Sequence, residues 1–187
     1  MHFSLSTRPR SIRCNRGFTL VELMISVLIM GVLATIGIAS FRGELSSAKN
    51  TEALSVIRSI SSAQEKYRAE HMMYQDISNN WFPDDAPATN LRSFWGSGHA
   101  DEADWRELAP EVPQLIQFSY LTRSGLPRTT PAALQSFTNA PAWPATNTIN
   151  EPWYFVQALG DLDDDGETTV LAVTSFNSRV FQENIGE

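Results

Sequence analysis

Arg16-Gly17-Phe18-Thr19-Leu20-Val21-Glu22-Leu23 opens the stretch that decides the fold, and residues 18–41 continue it as FTLVELMISVLIMGVLATIGIASF. Those 24 residues carry one charge, Glu22. As a helix rising 1.5 Å per residue they reach about 36 Å, more than the roughly 30 Å of a bilayer's hydrocarbon core. Arg8, Arg10, Arg13 and Arg16 precede the run. The positive-inside rule holds such a leader in the cytoplasm and sends the rest of the chain across. The run is too long for the apolar region of a secretory signal, and no convincing small-x-small cleavage site follows it, so the helix is expected to be retained.

Past Phe41 the chain turns polar but stays favourable to helix. From Arg42 to Met73 there is no proline, and the only glycine is Gly43. Leu54, Ile57, Ile60, Gln64, Tyr67 and His71 recur at three- and four-residue steps, an apolar stripe of helical period. One helix is therefore predicted from about 18 to 73, its first half in the membrane and its second half packed on a sheet. Glu44, Lys49, Glu52 and Arg58 read as solvated-face charges. His71 reads as a structural residue compatible with the helix dipole rather than a ligand.

From Tyr74 onward the character changes. Nine of the ten prolines and all five tryptophans lie beyond that point. Residues 79–99 and 122–150 lack a sustained period and read as loops with short strands or turns. The tryptophans read as buried anchors beneath those loops rather than a glycan-binding strip. Residues 114–121 have strand character. Residues 153–159 and 168–174 are β-rich and read as an antiparallel hairpin, with a last short strand between Phe176 and Phe181. The fold class is thus α+β, one long N-terminal helix packed on a C-terminal antiparallel sheet. The expected divisions are a removed leader 1–17, a membrane half 18–41, a second helical half 42–73 and a β-rich head 74–187.

The chain of 187 residues is 42% hydrophobic, enough for one core. Its formal charge is -7, and without the leader it becomes -11, since 10 Lys and Arg then face 21 Asp and Glu. An acidic body argues against binding a phosphate backbone, so no nucleic-acid partner is predicted. The only cysteine is Cys14, inside the leader, so a trimmed chain has no disulfide.

The loop of the predicted hairpin reads Gly160-Asp161-Leu162-Asp163-Asp164-Asp165-Gly166-Glu167. Asp161, Asp163 and Asp165 followed by Gly166 match D-x-D-x-D-G, the first half of a calcium loop, with the Glu167 carbonyl as a further ligand. Hard oxygen donors suit Ca²⁺ over Zn²⁺. The match is partial: the twelfth position, normally a bidentate Glu, is Ala172. The other reading is an acidic solvated turn. Five carboxylates within seven residues, Asp161 to Glu167, repel one another unless something neutralises them.

The octapeptide quoted first resembles the processing motif of the type IV pilin and pilin-like family, over roughly the first 50 residues. The resemblance implies cleavage by a membrane peptidase between Gly17 and Phe18, N-methylation of Phe18, and assembly into a filament through the apolar helix. It implies that an assembly ATPase and a membrane platform drive the process, from an inner-membrane precursor to an extracellular or periplasm-spanning filament. Glu22 stands inside the apolar run, where a charge needs a partner or water. One reading lets it reach the headgroups. The other, which the resemblance supports, pairs it with the Phe18 amino terminus of a neighbouring subunit as a register device. Many relatives have proline near the position of Ala39, where this chain has Gly37-Ile38-Ala39-Ser40. Related heads use calcium to stiffen the region of the acidic loop.

Three functions compete. The first is a pilus subunit, and the second, inside the same family, is a pseudopilin of a type II secretion system. The third is a membrane-anchored periplasmic enzyme or binding domain. Against that third reading, the chain beyond residue 17 offers only His71 and His99, no cysteine, no G-x-S-x-G and no H-E-x-x-H. Asp101, Glu102, Asp104 and Glu107 cluster around Trp105 but fit a solvated helical turn.

Overall fold

The computed structural model describes residues 17–83, 92–96, 98–162 and 165–185. Helix α1 runs Leu20–His71 without interruption, within two residues of the predicted bounds at either end. The chain divides into two compact units, one ending at Phe41 and the other comprising Arg42–Glu187.

In the second unit, strands β3 (Ser119–Gly125), β4 (Trp153–Gly160), β5 (Thr169–Thr174) and β6 (Asn177–Glu183) form an antiparallel sheet in chain order. The predicted hairpin is β4–β5, in the register Phe155 with Thr174 through Gly160 with Thr169. The expected strand over 114–121 is instead two. β2 (Leu115–Ile116) pairs with β1 (Ser93–Phe94), and β3 starts only at Ser119. The interruption falls at Gln117 and Phe118, where the chain changes partners. β3 then extends through Gly125, into a stretch expected to be loop.

Alternation along the strands separates two apolar layers. Tyr154, Val156, Ala158, Tyr120 and Leu171 share a core with Ala53, Val56, Ile57, Ile60 and Ala63 of α1. The packed stripe keeps Ile57, Ile60, Gln64 and Tyr67 of the predicted one and widens it on one side to Ala53, Val56 and Ala63. Leu54 is only half-buried and His71 is exposed, while Ala53 and Ala63 are in the core. Alanines let helix and sheet approach closely, which a count of large apolar residues overlooks. Burial pushes the Tyr154 phenol up to about 12 and Tyr120 higher still, so both remain neutral in this layer.

The opposite face of the sheet, which many antiparallel sheets leave to water, is also covered. Leu121, Trp153, Phe155, Leu159, Val170 and Ala172 cluster with Leu134 and Ile149 of the 126–152 connection. All eight residues of β4 are buried. Trp81, Trp105 and Trp153 are buried, while Trp95 and Trp143 are half-buried. The tryptophans thus serve mainly as the expected anchors.

Two buried glutamines fasten the irregular segments. Gln64 donates to the Gln75 carbonyl at 2.9 Å and accepts from the Gln75 N–H at 2.9 Å. Gln157 does the same for Gln135, at 3.0 Å each way. A primary amide supplies one donor and one acceptor at the spacing a strand would, so each side chain substitutes for a missing strand neighbour. The 74–83 segment also closes the β3 edge. Phe82 and Tyr120 exchange backbone hydrogen bonds of 2.8 and 2.7 Å, and Asp76 accepts from the Ser124 N–H at 3.0 Å. Edge pairing by another chain is blocked there.

Replacing Gln157 by leucine strands a carbonyl and an N–H of Gln135 and is expected to cost about 1–3 kcal/mol. Tryptophan fluorescence during urea unfolding reads this directly. Gly125→Ala places a Cβ 2.3 Å from Trp153 Cζ2, and the overpacking is expected to destabilise by about 1–3 kcal/mol in the same assay.

Candidate functional site

Two places carry the residues singled out from the sequence: the start of α1 and the β4–β5 loop. At the first, residues 17–19 are non-helical and exposed, and Phe18 keeps 75% of its surface accessible. A Cβ on Gly17 would meet nothing within 4 Å. No packing among the described residues requires glycine there.

Glu22 has a partner in its own chain. Its Oε2 accepts from the Thr19 backbone N–H at 3.1 Å and from the Thr19 hydroxyl at 2.9 Å. The Thr19 Oγ1 in turn accepts from the Glu22 N–H at 3.2 Å. This is a reciprocal capping box: threonine at the N-cap and glutamate three residues on each satisfy an N–H that the first turn leaves unpaired. Thr19 is the residue that sequence reasoning passed over. The signal was present as Thr19-Leu20-Val21-Glu22 ahead of an apolar run. The negative carboxylate also faces the positive end of the helix dipole.

Beyond this turn the helix satisfies itself. Ser26, Thr35 and Ser40 return their hydroxyls to the carbonyls of Glu22, Gly31 and Ile36 at 2.7, 2.9 and 3.3 Å. No hydroxyl is left to cost desolvation in an apolar surrounding. The large apolar side chains from Leu20 to Phe41 are almost all more than half exposed. Among the described residues, α1 is the one helix long and apolar enough to cross a membrane. Gly31 and Gly37 have open space around them.

At the second place, Asp161 is buried, 1% exposed, and its Oδ2 accepts from the Gly166 N–H at 3.0 Å. Gly166 has φ of +89°, a conformation that glycine adopts without strain. Asp165 is exposed and its Oδ1 accepts from the Glu167 N–H at 2.8 Å; Glu167 is exposed. Asp163 and Asp164 lie outside the described residues. Among the described residues, no three His, Cys, Asp or Glu side chains gather as metal ligands. Ala172 is fully buried in β5, so the partial motif ends inside the sheet.

Two presumed surface charges have distant partners. Lys49 Nζ donates to the Leu162 carbonyl at 2.7 Å, and Glu52 pairs with Arg92 at 3.0 Å. The acidic cluster around Trp105 is the short helix α2 (Glu102–Leu108), which buries Trp105 and Leu108. Its carboxylates engage neighbours: Glu102 pairs with Arg106, and Glu107 accepts from the Tyr67 hydroxyl at 3.2 Å. His71 stacks on Tyr67 with ring centroids 4.1 Å apart, and His99 Nδ1 accepts from the Asp101 N–H at 3.1 Å.

Comparison with known proteins bears on the first of these places. The family described as the prokaryotic N-terminal methylation motif matches residues 12–38. The chain is 42% identical over 65 residues to the type IV major pilin protein PilA of Myxococcus xanthus, covering 35% of this chain and 30% of that protein. It is 37% identical over 59 residues to the type II secretion system core protein G of Pectobacterium carotovorum, 32% of this chain and 38% of that one. The protein of the same description from Dickeya chrysanthemi is 34% identical over 62 residues, 33% of this chain and 40% of its own. The chain spans about a third of the length of the curated relatives it matches. No solved structure matches it.

If the capping box holds the first turn, Thr19→Val in detergent micelles is expected to speed hydrogen exchange at the Glu22 amide at least severalfold while amides after Ser26 stay unchanged. Equal exchange in both proteins would contradict the cap.

Proposed function

We propose that this chain, whose N-terminal segment is that of the type IV pilin family, is a structural subunit of a type IV pilus or pilus-like filament. The carrying observation is a self-satisfied apolar helix whose large side chains from Leu20 to Phe41 are exposed among the described residues. Lipid covers such a surface before assembly, and copies of the same helix cover it afterwards. The accessible Gly17–Phe18 bond supports cleavage there, and a glycine that no packing demands supports a requirement imposed by a peptidase. N-methylation of the new Phe18 terminus follows in this reading.

Glu22 then sets register. Thr19 keeps the carboxylate at the helix start, where the ammonium of a neighbour's Phe18 would meet it. Two charges in lipid are favourable only when they meet, so a mismatched stagger is penalised. The partners are further copies of the chain, the prepilin peptidase, and an ATPase with its membrane platform. The precursor sits in the bacterial inner membrane and the product in a filament at or beyond it. A second reading, a pseudopilin of a type II secretion system, draws on the core protein G relatives, which match over about the same share of this chain. The loop-rich head favours the pilus.

The β4–β5 loop is proposed to take Ca²⁺ through Asp161, Asp163, Asp165 and the Glu167 carbonyl. The reading is supported by the buried Asp161 carboxylate and by Gly166, whose positive φ accompanies the N–H it donates to that carboxylate. The ion would neutralise and stiffen a loop that no disulfide closes.

Glu22→Ala is expected to leave cleavage intact while the processed protein stays in the membrane and falls at least tenfold in sheared filaments. Wild-type filament yield from that variant would sink the register role. For calcium, the tryptophan-fluorescence melting temperature of the wild type is expected to rise by roughly 5–10 °C between chelator and a hundredfold excess over Kd. Asp165→Asn should lose most of that rise.

A further inference from the structure

We infer that the aromatic cleft beside β1 and α2 takes a proline-bounded extended segment, residues 140–145, of a second copy of this chain. The choice of a second copy rests on the filament reading; the chemistry of the cleft does not. Phe82, Phe94, Trp95 and Trp105 line a cleft of about 400 Å³, together with Glu102 and Arg106. Trp95 stands edge-on to Phe82 and to Trp105, with ring centroids 4.7 and 5.2 Å apart. Phe94 is 49% exposed and Trp95 half-buried, so aromatic surface stays open to solvent. Trp105 is buried, and its indole N–H has no acceptor among the described residues. A buried donor left unpaired is costly, and an entering carbonyl supplies what it lacks. Aromatic-lined grooves are where proline-rich segments in the polyproline II conformation dock. The two charged residues of the lining cancel: Glu102 pairs with Arg106, and its other oxygen accepts from the Gly98 N–H at 3.1 Å. The cleft therefore favours an uncharged ligand.

The same chain carries such a segment. Residues 129–150 contain no Asp, Glu, Lys or Arg, and within them Pro141-Ala142-Trp143-Pro144 has the P-x-x-P spacing. With roughly three residues per polyproline II turn, both prolines fall on one edge. Ala145 has φ of -59° and ψ of 134°, polyproline II values. Residues 140–145 belong to no helix or strand, and Ala142 and Pro144 are exposed. Trp143 packs on Phe155 and Phe176 of its own head, with centroids 5.5 and 5.9 Å away, and so holds the segment in place. The cleft draws on the core shared with α1, whereas the segment packs on the core of the opposite sheet face. One head presents both halves and cannot join them itself. A contact of this kind is heterologous, running head to tail and building open chains. Acidic heads repel one another, and an uncharged segment against a cancelled ion pair avoids that repulsion. So short a segment buries well under the roughly 1,200 Å² of a specific interface. The contact therefore acts between heads that their helices already hold side by side, where effective concentration is high.

Two measurements test this. In the first, the full chain in detergent is titrated with a synthetic peptide of residues 138–147 while the five indole N–H resonances are followed by NMR. The Trp105 signal, assigned through Trp105→Phe, is expected to move downfield at millimolar peptide. The same peptide with alanine at both prolines is expected to bind at least tenfold more weakly. A Trp105 signal that stays in place, or equal binding by both peptides, overturns the assignment of the cleft. In the second, Phe94→Cys and Ala142→Cys are combined in one chain, whose one native cysteine, Cys14, precedes the proposed cleavage point. Mild oxidation of sheared filaments is expected to give a ladder of disulfide-linked multimers, with none from either single variant. Should the double variant fail to assemble, co-assembly of the two single variants supplies the same pair as a linked dimer. Filaments without crosslinks overturn the second copy as the occupant, even where the peptide binds. A wild type that forms no filaments contradicts the filament reading and the second copy with it, and the peptide titration still decides the chemistry of the cleft.

Discussion

An apolar helix surface left exposed among the described residues is the constraint on which the account depends. From Leu20 to Phe41 the backbone and the hydroxyls are satisfied within the helix, and the large side chains are left exposed. Such a surface is stable only in lipid or against other helices. Polar chemistry is confined to one turn, where Thr19 and Glu22 complete each other. That turn holds the one charge of the segment at its start, hydrogen-bonded by Thr19.

The head solves the opposite problem, too much backbone without regular structure. The 126–152 connection has only a three-residue 3₁₀ turn, Thr146–Thr148. It is held because its side chains complete a second core on the outer sheet face and because Gln157 supplies hydrogen bonds where a strand would. Gln64 repeats the device on the helix side for the segment leaving α1. Both faces of β4 are thereby dry, and the sheet is clamped between a helix and a loop. In a chain whose one cysteine precedes the helix, these polar clamps and the Lys49 contact take over work that a crosslink does elsewhere.

What was legible in the sequence had a local cause. The long helix follows from the absence of proline between Phe18 and His71, and the β4–β5 hairpin from two β-rich runs around a turn-forming loop. What was not legible depended on distant partners. Lys49 and Glu52 looked solvated because Leu162 and Arg92 lie 113 and 40 residues away. The interruption after Ile116 reflects a change of strand partner that no periodicity records. The packed stripe of α1 was read through Ile57, Ile60 and Gln64 but too narrowly, because Ala53 and Ala63 also carry it. Thr19 is different: its capping pattern was visible, but attention to Glu22 as a lone charge in lipid hid its nearest neighbour.

Intact mass of the protein recovered from sheared surface filaments, alongside the membrane fraction, tests the central claim most directly. The account predicts a filament species that begins at Phe18 and carries one added methyl group. A chain that retains residues 1–17, or one cut after residue 41, would contradict it.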